Sequence, residues 1–397
     1  MTLSTGLRTQ LETAGDKALQ IGLLVLGLCV FFGFWFHQAF MQAYLQSYII
    51  WIGLSGGSLA FLMIHHLAGG GWGFVSRRIF EAAAKTFPLM ALLILPIVLF
   101  LPTLYEWSRP EAVAASPLLQ HKSIYLSGRA FDTRLLIYFA VWITLSTLLC
   151  KWSQQQDETG DPMINKKLRV LSGAGLVLYA LTVTLASWDW TMSLSPEWFS
   201  SMWGPLFFVG QGLSTLCFTI FLLGWLAKRK PMADIITPRH FHDLGNLTFA
   251  FVILWTYMTF AQFLIIWSGN LPEEITWYLD RSTPGWQLVA VILTLFHFVL
   301  PFLLLLSRYA KLKAEFLTRV VVFIFAMRLV DMLWVVAPTF TEGFRITPFD
   351  LLLPVGMGGV WLWAFLRQLT RRPLIALHDP RFTDTLPSFS PGVQQHG

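Results

Sequence analysis

The chain is poor in the residues that build soluble surfaces and metal sites. Charged residues are 13% of its 397 positions, about half the usual share in soluble proteins, and no stretch reads as a soluble domain. Its three cysteines, Cys29, Cys150 and Cys217, stand singly within or at the ends of apolar runs. None forms a CxxC or CxxCH pair, so the sequence offers no zinc, iron–sulfur or covalently attached haem site. A bis-histidine haem b needs paired histidines deep in facing helices, and only His297 is clearly deep. The GGGWG run at 69–73 lacks the lysine and spacing of a phosphate-binding loop and reads as a flexible turn. A cleavable signal is not expected either, because residues 1–18 are polar and no small-residue cleavage site follows the first apolar run.

What remains is hydrophobic: 55% of residues are apolar, 15% are aromatic and the mean hydropathy is +0.60. Ten stretches are long enough to cross a bilayer, at about 19–40, 45–68, 86–105, 132–150, 168–187, 201–226, 243–267, 286–306, 315–338 and 349–369. Each far exceeds a barrel strand, so all ten are expected to be helices, spans 1 to 10. The chain therefore reads as an all-α integral membrane protein. It would comprise a cytoplasmic N-terminal segment (1–18), a ten-helix membrane domain (19–372) and a cytoplasmic C-terminal tail (373–397). Strong internal repetition is absent by inspection, though a weak repeat could hide in two groups of four, spans 2–5 and 6–9.

Loop charges orient these spans. One set of loops carries 21 lysines and arginines and the other six, and the richer side is cytoplasmic. Both termini are then cytoplasmic, and the basic loops need no nucleic acid to explain them. The outer loops combine acids with tryptophans, including Trp188, Trp190, Trp198, Trp203, Trp267, Trp277 and Trp286. These serve as interfacial anchors or as a docking surface for outer partner subunits. The long outer loop 105–131, with Pro110 and Pro117, is expected to order only against a partner, and the polar tail 373–397 to be extended.

Arg328 alone among the cations falls in mid-membrane, within FLTRVVVFIFAMRLVDMLWVVAP (316–338), with Asp331 three residues later. That spacing puts both on one helix face. A charge at bilayer centre costs from about 2.5 to more than 10 kcal/mol, so such residues pair, line wet cavities or carry protons. His297 lies at a similar depth in span 8, at the 1.5 Å rise per residue, and spans 8 and 9 should form an antiparallel hairpin. A titratable ring, a carboxylate and a fixed cation in one layer have the composition of a proton relay. The same residues could instead lock the helices together.

Further polar residues extend a possible path. His240, His242, Asp243 and Asn246 stand at the inner end of span 7, where they either feed protons or cap the helix, and Tyr257, Thr259 and Gln262 follow outward. Gln211, Ser214 and Thr215 in span 6 could line the same cavity. On the outer side Asp189, Glu342 and Asp350 are exit candidates. His65 and His66 read as structural.

Three stretches carry a family resemblance: SWDWTMSLSPEWFSSMWG (187–204), FHDLGNLTFAFVILWTYMTFAQFLIIWSGNLPEEITWYLDR (241–281) and LLLPVGMGGVWLW (351–363). With ten spans, they resemble the NrfD/PsrC-like membrane subunits of alternative complex III, a bacterial quinol:electron-acceptor oxidoreductase, and specifically the shorter, ActF-type subunit. The resemblance implies two four-helix bundles with flanking helices in the bacterial cytoplasmic membrane. It implies assembly with a second NrfD-like subunit, an iron–sulfur protein, haem c subunits and smaller membrane subunits. The clusters and haems would reside in those partners, and menaquinone is the implied quinone. Quinol oxidation would belong to the sibling subunit. For this chain the resemblance implies no metal cofactor and a proton path, for which His297, Arg328, Asp331, His242, Asp243, Tyr257, Asp189 and Asp350 are the candidates by depth. No quinone-binding residue is assigned.

Overall fold

The structure, a computed structural model, describes residues 4–341, 343–376 and 379. Ten helices among these residues are long and apolar enough to cross a membrane. Spans 1 to 10 run Thr5–Gly33, His37–Ala68, Gly71–Leu99, Gly128–Thr159, Met163–Leu194, Trp203–Leu226, Pro238–Gly269, Pro284–Leu306, Ala314–Phe340 and Pro348–Leu369. No strand occurs among the described residues. The chain is an all-α multi-pass membrane protein.

Packing sorts the spans into two rings of four. Spans 2, 3, 4 and 5 form one ring, and spans 6, 7, 8 and 9 the other. Span 6 lies against spans 2 and 5 and joins the rings, while spans 1 and 10 pair with each other and lean on span 2. That outer pair crosses closely because its contact is made of glycines. A Cβ at Gly22 would press on the backbone of Gly356, Gly359 and Val360, the small-residue geometry by which helices approach in lipid. Gly15 faces Trp363 and Leu366 in the same contact, so the two helices run antiparallel.

Several helices are longer than hydropathy alone foretells, because polar turns continue them past the apolar core. Span 1 starts at Thr5, so most of the polar segment 1–18 is helical, capped by the Ser4 hydroxyl. Span 2 and the first part of span 3 also reach beyond the apolar stretch, joined by a two-residue turn. Gly69 and Gly70 adopt φ of 73° and 98°, a region open to glycine, and Gly71 already begins the helix. Only Gly69 and Gly70 of GGGWG form the turn, the rest being helical, and Gly73 packs directly against His65. Span 3 breaks near residues 85–86, 94 and 100, next to Pro88, Pro96 and Pro102, which cannot donate helical hydrogen bonds.

The outer loop 105–131 departs from expectation. It folds on its own chain as short helical turns at Glu106–Ser108, Pro110–Ala115 and Pro117–Lys122, with Trp107 and Leu119 buried. Lys122 Nζ donates to the Pro196 carbonyl at 2.6 Å. The tail expectation concerns mostly residues outside those described. Leu374, Ile375 and Ala376 are buried, and Asp379 pairs with Arg77 at 2.8 Å, so its described part lies on the inner end of the first ring.

Candidate functional site: a buried charge layer between two cavities

Arg328 and Asp331 are both buried, and Arg328 Nη1 donates to the Asp331 carboxylate within one turn of span 9. Gly210 of span 6 makes this possible. The guanidinium fills the space where a side chain at 210 would begin. Neither apolar periodicity nor residue counts reveal such a fit, because it depends on which helix face meets span 9.

His297 is 0% exposed, and neither ring nitrogen has a protein hydrogen-bond partner among the described residues. It sits in a π-helical turn, Leu293–Val299, where the Leu300 N–H reaches back to the Leu295 carbonyl. Pro301 has no N–H to donate to the carbonyl of residue 297, four positions earlier, which favours the wider turn. The Trp255 ring makes a T-shaped contact with the imidazole, centroids 4.3 Å apart. Trp255 also lines the same cavity as Asp331. The three residues predicted to share a layer are therefore brought together, with Trp255 inserted between the histidine and the ion pair.

Two cavities meet at this layer. The outer one is lined by Trp203, Trp255, Thr259, Gln262, Trp277, Tyr278, Trp334 and the Arg328–Asp331 pair. The second, smaller one lies between the rings, lined by Ile49, Gly53, Gly210, Gln211, Ser214 and Arg328. Arg328, Phe207 and Met332 are common to both. The Thr259 hydroxyl and Arg328 Nε are buried without a protein partner among the described residues. Unpaired polar atoms around such a void suit water.

The outer cavity has an aromatic roof. Trp198 stacks on Trp277 with centroids 5.2 Å apart, and Trp203 meets both edgewise. The roof is pinned by Arg281, which the sequence showed only as another outer-loop cation. Its guanidinium donates to the carbonyls of Trp334 (3.1 Å), Trp277 (2.7 Å) and Val335 (2.6 Å). It also lies 3.5 Å from the Trp277 ring centroid. Burial lowers its pKa to about 9, so it remains a cation at neutral pH. The short helix Pro272–Asp280 is thereby tied to the end of span 9.

The other candidates are placed differently. Tyr257 is 65% exposed on the outer face of its ring and does not reach the layer, a correction to a path along span 7. His242 is half-buried at the inner end, 3.3 Å from Asn246 and 3.7 Å from Asp243. Above them Thr248 and Thr256 donate to carbonyls of their own helix, so no described side-chain chain links His242 or Asp243 to His297. His240 caps span 7 with Thr237. Asp189 is held by two bonds from Arg134 (2.9 and 2.7 Å) and one from Tyr138 (2.7 Å). Asp350 accepts from the Thr347 N–H and hydroxyl (2.7 and 2.8 Å) as a helix cap. Both outer aspartates are thus engaged in structural contacts, and Glu342 lies outside the described residues.

Three separate polar clusters were only partly foreseen. Between the rings Tyr179 donates to Gln211 at 2.7 Å beside Gly56, and against span 10 Ser55 bonds Thr86 at 2.6 Å and Trp361 at 3.0 Å. In the first ring Glu81 accepts from Arg77 (3.0 Å), Arg78 (2.6 Å) and Ser153 (2.5 Å). The glycines of span 2 were the available signal, since they let Gln211 and Thr215 approach.

No group of histidine, cysteine and acidic residues that could hold a metal occurs among the described residues. No family model and no curated protein matches the chain.

Proposed function

We propose that this chain is a proton-conducting membrane subunit of a quinol-oxidising complex, of the NrfD/PsrC-like, ActF type in the bacterial cytoplasmic membrane. The observation that carries the proton reading is the position of Arg328, bonded to Asp331 and forming a wall of two cavities at once. Arginine keeps its charge in proteins, so the carboxylate is the member of the pair that takes a proton. Protonation of Asp331 removes the attraction that holds Arg328 toward the outer cavity. The guanidinium then turns to Gln211 and Ser214, and loss of the proton outward restores the pair. His297, packed edgewise on Trp255, would tune the layer through the position of that ring and would not itself pass a proton across it.

The inner half of this route would start from Gln211 and Ser214 in the second cavity, and the outer half would cross the Gln262 cavity. His242 and Asp243 would act as surface collectors at the inner end of span 7. Partners in this reading are a second NrfD-like subunit, an iron–sulfur protein, haem c subunits, smaller membrane subunits and lipids. Menaquinol would be oxidised in the sibling, with haems and clusters in the partners. Isolation from native membranes tests the assembly: co-purification of haem c and iron–sulfur subunits supports it, and a solitary chain that moves a solute unaided opposes it.

A second reading is favoured by one observation. The outer cavity, with an aromatic lining and a few polar groups, has the composition of a small-molecule site, and the edge of a quinone ring would suit it. Photolabelling with a quinone analogue that marks Trp277 or Trp334 would support this reading, and labelling confined to the sibling would oppose it.

A further inference from the structure

A separate feature lies at the cytoplasmic edge of the first ring. A shallow, open recess is lined by Arg78, Glu81, Ala82, Lys85, Gln368, Leu369 and Arg372. The charges around it are unequal. Arg77, Arg78, Lys85, Arg371 and Arg372 supply five cations, against Glu81, Asp157 and Asp379. Most of the arginines are committed to protein partners. Arg372 bonds the Cys150 carbonyl at 2.9 Å and Gln154 at 3.0 Å. Lys85 is different, because no hydrogen bond or ion pair ties its side chain to the described residues, and it is only part-exposed at the recess.

The recess stands at headgroup depth. Span 10 ends there at Leu369, the apolar part of span 3 begins there with Phe87, and Cys150 closes the apolar part of span 4. Outward from Lys85, the same side of span 3 shows Pro88, Leu92, Leu95 and Leu99 exposed, spaced at three or four residues as on one helix face. A cationic recess opening onto a bare apolar strip matches a phosphate joined to acyl chains, and basic recesses between helices on the cytoplasmic side take such headgroups.

We propose that this recess binds the phosphate group of an anionic phospholipid, with Lys85 as the cation that the fold leaves for it and the Leu92–Leu95–Leu99 strip as the bed for an acyl chain. The binding would fasten the end of span 10 to span 3 through the lipid.

The test uses the full chain in zwitterionic detergent, given phosphatidylglycerol and phosphatidylcholine of matched chains, with retained lipid read by native mass spectrometry. Phosphatidylglycerol should be retained preferentially. Lys85→Gln should lower that retention roughly five-fold, the weight of one interfacial cation, without altering thermal unfolding of the lipid-free chain. Lys167→Gln, a change at an exposed cytoplasmic lysine elsewhere, should leave it unchanged. Equal retention of the two lipids, or wild-type retention by Lys85→Gln, overturns the proposal. So does displacement of phosphatidylglycerol by low-millimolar inorganic phosphate, which would assign the recess to a free phosphate.

Discussion

The guanidinium of Arg328 rests in the space that a side chain at Gly210 would need, so a glycine on one helix holds the charge of another. This contact joins spans 6 and 9 of the second ring at the residues that could move a proton. Glycine here is a packing requirement and not a backbone one.

Gly210→Ala should therefore act at a distance from its own helix. Overpacking of this kind costs about 1–3 kcal/mol. The expected result is a lower unfolding midpoint in detergent together with slowed proton transfer. Wild-type stability and transfer would mean that Arg328 does not depend on this space.

The charge pair should separate structure from function. Asp331→Ala leaves Arg328 buried and uncompensated, a loss of about 3–5 kcal/mol. The double change Arg328→Met with Asp331→Leu fills the volume with apolar atoms and should regain most of that stability. Proton transfer should stay absent in the double variant. Unfolding curves and proton flux on the same preparations check this.

Tyr257→Phe should change nothing measurable. Its ring lies on the outer face of its helix, and surface changes of this kind fall within about 0.5 kcal/mol. A drop in proton flux in this variant would restore the path along span 7.

Lys311 gives a prediction about pH. It is buried in the short helix between spans 8 and 9, its stem against Gly245 and its ammonium 5.3 Å from the Phe249 ring centroid. Burial lowers its pKa in the folded state. The unfolded chain then binds more protons between the lowered value and about 10.4, so this term raises stability as pH climbs through that window. Lys311→Met should flatten that rise, as read from unfolding midpoints between neutral and alkaline pH.

Much of the fold was legible in the sequence because hydrophobic length reports membrane helices directly. All ten spans were located, with ends that extend where polar turns continue the helix. The two rings were anticipated from the family resemblance and a suspected weak repeat. Arg328, Asp331 and His297 could be brought to one depth by counting residues from the span ends. Counting could not supply azimuth, so Tyr257 was turned inward, Trp255 was missed, and Asp189 was read as an exit candidate although Arg134 and Tyr138 hold it. Arg281, the pin of the aromatic roof, gave no signal beyond being a cation beside Trp277, because its partners are carbonyls.

The most direct test is proton flux through the purified complex in liposomes, comparing wild type with Asp331→Asn. Asparagine keeps the shape and can still accept from Arg328, but it cannot take up a proton. The account predicts an assembled complex that oxidises quinol while its proton ejection falls by the share that this chain carries. Unchanged proton ejection per electron, in a complex of normal composition, would contradict it.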